Sequence, residues 1–513
     1  MTNFPGVHIQ ELPSPVHPIT GVPTSIAAFA GWAAQGPTNR AVLVASFADF
    51  ERQFGGFDAN SYLGYAVSQF FENGGQQTYI VRIVGEGSGT AVSAAVGGSL
   101  KLWASSVGEW GNQLQVIVTV QPTDHTRFNL LVQLAGTPVE SFANLSVNVT
   151  DAQYVVNIID SESKYVTFID PASDAAPTPP PMPSSTVTAA VFSGGANGAV
   201  LNPGDGNFEA ALGVSQALAS TPLTATSTGL QLLNGVSLFN LLCIPGETDA
   251  ETIGKLQQYC FEKRALFLAD CPQAAATASL TAKGALATTG GTLTPLTGPH
   301  PENAAYYYPW VQAPDPLSAN RPKLFPPCGF VAGIYASTDT SRGVWKAPAG
   351  MEAILSGAVG LQFDVTDAEN GALNALGINC LRQFKASGSV VWGARTLQGA
   401  DQSGSQWKYV PVKRLALFLE TSLYNGTKWI VFQPNGEALW AQIRLNVGAF
   451  LQGLFVQGAF QGATPQQAYF VKCDAENNPQ ASLAQGIVNI VVGFAPLYPA
   501  EFVITQIQQF AGQ

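Results

Sequence analysis

Four histidines, His8, His17, His125 and His300, are the whole supply of imidazole in this 513-residue chain. A metal centre needs ligands at short, repeated spacings, and no two of these histidines stand at such a spacing or beside a cysteine pair. The six cysteines, Cys243, Cys260, Cys271, Cys328, Cys380 and Cys473, are scattered and form no CxxC pair. That pattern predicts reduced core residues in a cytosolic protein. The glycine-rich stretch SGGANGAVLNPGDGNFEAAL, 193–212, has a superficial likeness to a phosphate loop. It lacks the lysine of GxxxxGK[ST] and the GxGxxG spacing between strand and helix, so it reads as a turn-rich connection. No GxSxG elbow is present, and no Ser/His/Asp set can be assembled.

Two charged groups remain. Asp364, Asp367 and Glu369 cluster at the start of a predicted helix; they could bind a cation, but such residues more often cap a helix and complement its dipole. KYVPVKRL carries Lys408, Lys413 and Arg414, which with Arg444 are candidate contacts for an acidic partner surface. The plainer reading of these four is a solvated helix face with local ion pairs. Trp392, Trp407, Trp429 and Trp440 read as core. The residues therefore predict no enzyme, no cofactor and no metal.

Composition points to assembly. Charged residues are 11% of the chain and hydrophobic ones 46%. Surfaces so poor in charge suit burial against other subunits. The net charge of −11 argues against nucleic acid as a direct partner. Residues 1–90 carry −3, residues 91–349 carry −7 and residues 350–513 carry −1. No apolar run reaches the roughly 18 residues of a membrane span, so no direct membrane partner is expected. The polar, extended opening predicts synthesis in the cytoplasm without a signal peptide.

The elements alternate in kind. A buried strand in 21–33, a strand and helix in 41–56 with Ser46 as cap, a helix over 62–73 and the strand TYIVRIV at 78–84 make an α/β unit. A flexible boundary at 85–98 leads to strands LQVIVTVQ, FNLLVQL, YVVNIID and YVTFID, a β-rich module. The Pro/Ser stretch 171–185 reads as a linker. From 192 to 349 the pattern returns to α/β: strands SLFNLLCIPG, ALFLADCP and AAYYYPWV, a helix capped by Thr248, and a helix in CGFVAGIYASTD. In the last third CLRQF, VVWGARTL, KWIVFQP and IVNIVVGFAPL read as strands, and 437–455 as the clearest helix.

Both ends read as single strands. PGVHIQELPS presents Val7, Ile9 and Glu11, and AEFVITQIQQF presents Phe502, Ile504 and Ile507. A lone strand is unstable in water and must join a sheet, its own or a neighbour's.

PGVHIQELPS, the Ile19–Gly21–Val22–Thr24–Ser25 stretch and AAFAGWAAQGP together resemble the start of a contractile tail sheath protein. SFADFERQFGG, AVSQFFENGGQQTYIVRI, SVGEWGNQLQV and RFNLLV continue the resemblance. WKAPAG, GINCLR, VVWGARTL, WKYVPVKRL, FLETSL, WIVFQPN, YFVKCDAENNP and PAEFV carry it through the last third. Pro411 and Lys413 depart from it, standing where a non-proline and a second arginine are expected.

The resemblance implies a multidomain α/β (α+β) fold. It places a terminal arm over 1–20 and a sheath core over 21–90 plus 346–497. A β-rich insertion covers 91–185, an α/β insertion 186–345, and a second arm 498–513. The insertions face outwards. It implies a structural subunit that stacks in rings around an inner tube, is linked by exchanged terminal strands, and contracts to drive the tube through an envelope. Its partners would be itself, the inner tube protein, the baseplate and a terminal cap, in a phage tail or a released phage-like particle. Three alternatives stand beside this: a type VI secretion sheath subunit, a nucleotide-binding enzyme on 192–349, and a surface adhesin built on the β-rich module.

Overall fold

Ala27–Trp32, AAFAGW, buries all six of its residues, and Leu266–Asp270 buries all five. Continuous apolar runs of this kind are what a parallel sheet covered on both faces requires. The computed structural model describes residues 17–96, 100–170, 179–183, 187–219, 221–224, 226–504 and 506. The chain divides into two units. The larger comprises Thr24–Ser341 and Pro348–Val410. The other, the terminal unit, comprises Met1–Pro23, Arg342–Ala347 and Pro411–Gln513.

An eight-stranded sheet forms the centre of the larger unit. Its order is Val42–Val44, Thr78–Ile83, Ala27–Trp32, Leu241–Cys243, Leu266–Asp270, Ala304–Tyr308, Ile378–Phe384, Gly388–Val391. The inner pairings are parallel; the two edge strands run antiparallel. The strand expectations for SLFNLLCIPG, ALFLADCP, AAYYYPWV and CLRQF hold, as do the helices Leu63–Glu72 and Cys328–Arg342. Gly329 and Gly333 let these two helices touch. A Cβ at Gly329 would lie 2.6 Å from the Ala66 backbone, and one at Gly333 would lie 2.7 Å from the Phe70 carbonyl. Ser46 caps Phe47–Phe54 as expected, accepting from the Asp49 amide at 3.1 Å.

The domain boundaries differ from the expected ones. Leu241 pairs directly with Ala27, so 21–90 and 186–345 supply strands to one sheet and the second is no separate insertion. Such parallel pairing joins strands far apart in sequence, and no local pattern reports it. Residues 411–497, expected in the core with 21–90, fall instead in the terminal unit.

The β-rich module is a seven-stranded antiparallel sheet. Leu114–Val120 alternates buried and half-buried residues along its length, the pattern of a sheet with one covered face. The module runs beyond 185, because Val187–Ser193 pairs with Leu114–Val120. Ser88–Gly89 pairs with Ala196–Asn197, so the module's two connections lie side by side. YVVNIID is not a strand but the helix Val155–Glu162. Val155, Val156 and Ile159 turn to one buried face, and tertiary packing overrides the β-propensity of the branched side chains.

Arg82, 1% exposed, ties the module to the central sheet. Its guanidinium donates to the carbonyls of Ala33 (2.8 Å), Ala34 (3.1 Å), Gly36 (2.6 Å) and, in the module, Val107 (2.9 Å). Burial pulls its pKa down to about 9.

In the terminal unit, helices Val410–Gly426 and Glu437–Val456 bury Leu415, Leu419, Trp440, Ile443, Val447 and Leu451 in one core. KWIVFQP, expected as a strand, forms a single short turn over Lys428–Ile430, with Trp429 and Ile430 packed on that core. No described helix is long and apolar enough to cross a membrane.

Candidate functional site

The residues singled out for chemistry are absorbed into structure. Thr366 caps Asp367–Ala375 in a capping box, and the Glu369 carboxylate accepts from the Thr366 amide at 2.9 Å and hydroxyl at 2.7 Å. Those bonds hold Glu369 below the usual carboxylate range. Asp367 pairs with Arg382 at 2.7 Å. Among the described residues no group of three His, Cys, Asp or Glu is placed to hold a metal ion. All six cysteines are buried and unbridged. The glycine-rich stretch holds the short strand Ala196–Asn197, then turns, then the helix Gly206–Leu212, whose N-terminus Asp205 caps by accepting from the Phe208 amide at 2.8 Å. The cap of Ala250–Lys263 is Asp249, not Thr248, whose hydroxyl bonds Thr288 at 3.2 Å. Trp440 is buried; Trp392, Trp407 and Trp429 are half-buried.

The four candidate basic contacts separate. Lys408 lies in the larger unit, where its ammonium bonds Asp401 at 2.6 Å; Asp401 also pairs with Arg395 at 2.9 Å. Lys413 and Arg414, in the terminal unit, are only 5% and 4% exposed. Arg444 donates to Glu437 at 2.6 Å and to the Cys473 carbonyl, and the Glu437 bond raises its pKa.

What the terminal unit does present is a sheet edge. Tyr469–Lys472 and Val491–Phe494 form an antiparallel pair in the register Tyr469↔Phe494 to Lys472↔Val491. Neither strand pairs with a third among the described residues. The loop between them is stitched by asparagines. The Asn477 amide donates to the carbonyls of Lys472 (3.1 Å) and Asn489 (2.9 Å), and Asn478 accepts from the Asn489 amide at 2.6 Å. The motif YFVKCDAENNP is thus a strand and the loop that locks it. Phe470 and Val491 stay exposed on the pair.

Both termini are rooted in this unit. His17 stacks on Trp429 with ring centroids 4.2 Å apart. Ile19 is buried against Gly426, where a Cβ would come within 2.6 Å of it. Gly21 lies against the Phe418 ring, and the Val22 amide donates to the Ser422 hydroxyl at 3.1 Å. At the other end, Phe502, Val503 and Ile504 follow the sheet as exposed residues. Val7, Ile9, Glu11 and Ile507 lie outside the described residues.

Two family models match: the phage tail sheath protein central domain over residues 226–397 and the phage tail sheath C-terminal domain over 402–510. Together they take in more than half of the chain. A putative prophage major tail sheath protein of Pseudomonas aeruginosa (strain UCBPP-PA14) is 28% identical over 287 residues, 53% of this chain and 67% of that protein. The sheath of an extracellular contractile injection system, PVC, in its contracted state has a similar fold. Its TM-score is 0.58 and its identity 23%, over 99% of this chain and 98% of that one. A chain of the anti-feeding prophage baseplate aligns over the whole of both chains with a TM-score of 0.55 and 21% identity. At these identities the structural likeness is one of fold. The matched domains, spanning five of the eight strands of the central sheet, the two long helices and the hairpin, establish that this chain belongs to the contractile tail sheath family, as a structural component of a phage-tail-like system.

Proposed function

We propose that this chain is the repeating subunit of a sheath that stacks as rings around an inner tube and contracts, its subunits held together by exchanged terminal strands. The observation that carries this reading is the two-stranded sheet of the terminal unit, neither strand of which pairs with a third strand among the described residues, in the unit that also holds the described parts of both chain ends. Val7, Ile9 and Glu11 would add along one edge of a neighbour's sheet, and Phe502, Ile504 and Ile507 along another. Strand addition uses backbone hydrogen bonds of about 0.5–1.5 kcal/mol net each, and it leaves the bodies free to turn. Contraction then draws on body-to-body packing that differs between two arrangements of the lattice.

The inner-tube contacts proposed at Lys408, Lys413, Arg414 and Arg444 narrow to the two at the surface. Lys413 and Arg414 would reach a partner only after a rearrangement, whereas Lys408 and Arg444 need only exchange a carboxylate for the tube's. A baseplate contact is in keeping with the baseplate chain that shares the fold.

Deleting residues 1–16 or 498–513 tests strand exchange. Each deletion is expected to leave soluble protein that makes no long cylinders in electron micrographs. Ordinary cylinders from both deletions would overturn the reading.

A further inference from the structure

Phe432 is the most exposed large apolar side chain among the described residues, and its backbone sits in the left-handed region at φ 67°. A phenylalanine gains nothing locally from either condition. Left-handed backbone is disfavoured for any side chain with a Cβ, and an aromatic ring in water forgoes its burial. The loop that holds it is nonetheless fixed on both sides. Before it, Trp429 and Ile430 pack on the core of the terminal unit. After it, the Gln433 amide returns to the Ile430 carbonyl at 3.0 Å. Asn435 then accepts from the Trp440 indole at 2.9 Å and donates to the Ile487 carbonyl at 3.0 Å. Val431 is exposed beside the ring.

We infer that Phe432 is an aromatic anchor for a second copy of this chain, a subunit contact additional to the exchanged strands. The inference rests on the sheath reading above. The occupant follows from where the loop is tied. Asn435 fastens it to Ile487, at the head of the strand Val491–Phe494, and Ile487 and Val491 are themselves exposed apolar residues. The ring thus stands on a loop tied to the segment that leads into the open strand pair, the pair that the neighbouring subunit's arm would extend. A rigidly presented aromatic next to a polar, backbone-paired contact is the usual makeup of an interface hot spot. An apolar contact of this kind should be insensitive to salt, unlike a charged contact with the tube.

The test uses the full-length purified chain without tube protein and follows cylinder formation against concentration by sedimentation and electron microscopy. Phe432→Asn accepts the left-handed backbone but removes the ring; Phe432→Leu keeps an apolar side chain. The Asn variant is expected to melt at or above the wild-type temperature while its assembly threshold rises at least tenfold, in low and high salt alike. The Leu variant should fall between. An Asn variant that assembles at the wild-type threshold overturns the inference. So does one that melts well below wild type, which would make the ring a folding element. So does one that assembles normally but no longer holds added tube, which would make the tube the occupant. The deletions of 1–16 and 498–513 run in parallel. If they assemble while Phe432→Asn does not, strand exchange fails and the anchor stands. A wild-type chain that never self-associates sinks both.

Discussion

Glu247 and Asp270 are each 1% exposed and face no cation among the described residues. Asp270 closes its strand by accepting from the Gly246 amide at 3.0 Å and the Cys328 amide at 2.8 Å. Glu247 accepts from the Asp249 amide at 2.6 Å and from Gly204 at 3.3 Å, with Glu209 and Asp249 adding like charge. Burial dominates in both, lifting Glu247 to about 7 and Asp270 to about 6. The unfolded chain gives up these protons near pH 4, and the folded chain holds them longer. Their contribution is therefore complete below about pH 4 and is lost as pH rises towards 7, on the order of 3 kcal/mol for Glu247. Thermal melting between pH 4.5 and 7.5 should show the loss, and Glu247→Gln should flatten it; an unchanged slope in that variant would refute the assignment. Asp151 and Asp401 work in the opposite sense. Hydrogen bonds, led by the Gln153 amide and the Lys408 ammonium respectively, hold both low, so their support fades only on stronger acidification.

At the scale of elements, the crossing of Cys328–Arg342 on Leu63–Glu72 is set by what is missing. At Gly333 an added Cβ would meet the Asn73 side chain at 2.5 Å and the Phe70 carbonyl at 2.7 Å. Backbone cannot give way as a flexible side chain does, so Gly333→Val is expected to cost about 1–3 kcal/mol by overpacking. Chemical denaturation of the variant checks this, and a midpoint equal to wild type would mean the helices have room to part. Helix starts were legible where a capping residue stood alone, as at Ser46. They were shifted by one where Thr248 and Asp249 compete, because the hydroxyl is drawn to Thr288. YVVNIID and KWIVFQP misled for a common reason. Short apolar runs rich in branched and aromatic residues suit a strand and a buried helical turn equally, and the partner surface decides.

For the whole molecule, the described part of the N-terminal segment is structural. Residues 17–22 are core to the terminal unit, through Ile19, the His17–Trp429 stack and the Val22–Ser422 bond. Deleting 1–16 should leave the melting temperature of the isolated subunit unchanged, while deleting 1–23 should lower it by several degrees. Equal melting of the two would show that the root carries no stability. The candidate site was half legible. The sequence raised the expectation of arms at PGVHIQELPS and AEFVITQIQQF, most of which lies outside the described residues. Of the strand pair, Val491–Phe494 was expected within IVNIVVGFAPL, but its partner Tyr469–Lys472 was not, because it is short and joined to it through an asparagine-locked loop.

The sequence by itself determined the α/β character, the absence of any motif for catalysis, the low charge and the family, since these depend on residue types and local order. Tertiary structure alone decided three things. It set Leu241 beside Ala27, and divided the chain at 23–24, 341–342, 347–348 and 410–411 instead of at the composition shifts. It took Lys413 and Arg414 out of solvent while leaving Arg444 at the surface. It turned Phe432 outward on a strained backbone. Strand pairing, burial and backbone strain are properties of neighbours brought together across hundreds of residues, and no local pattern of residues encodes them.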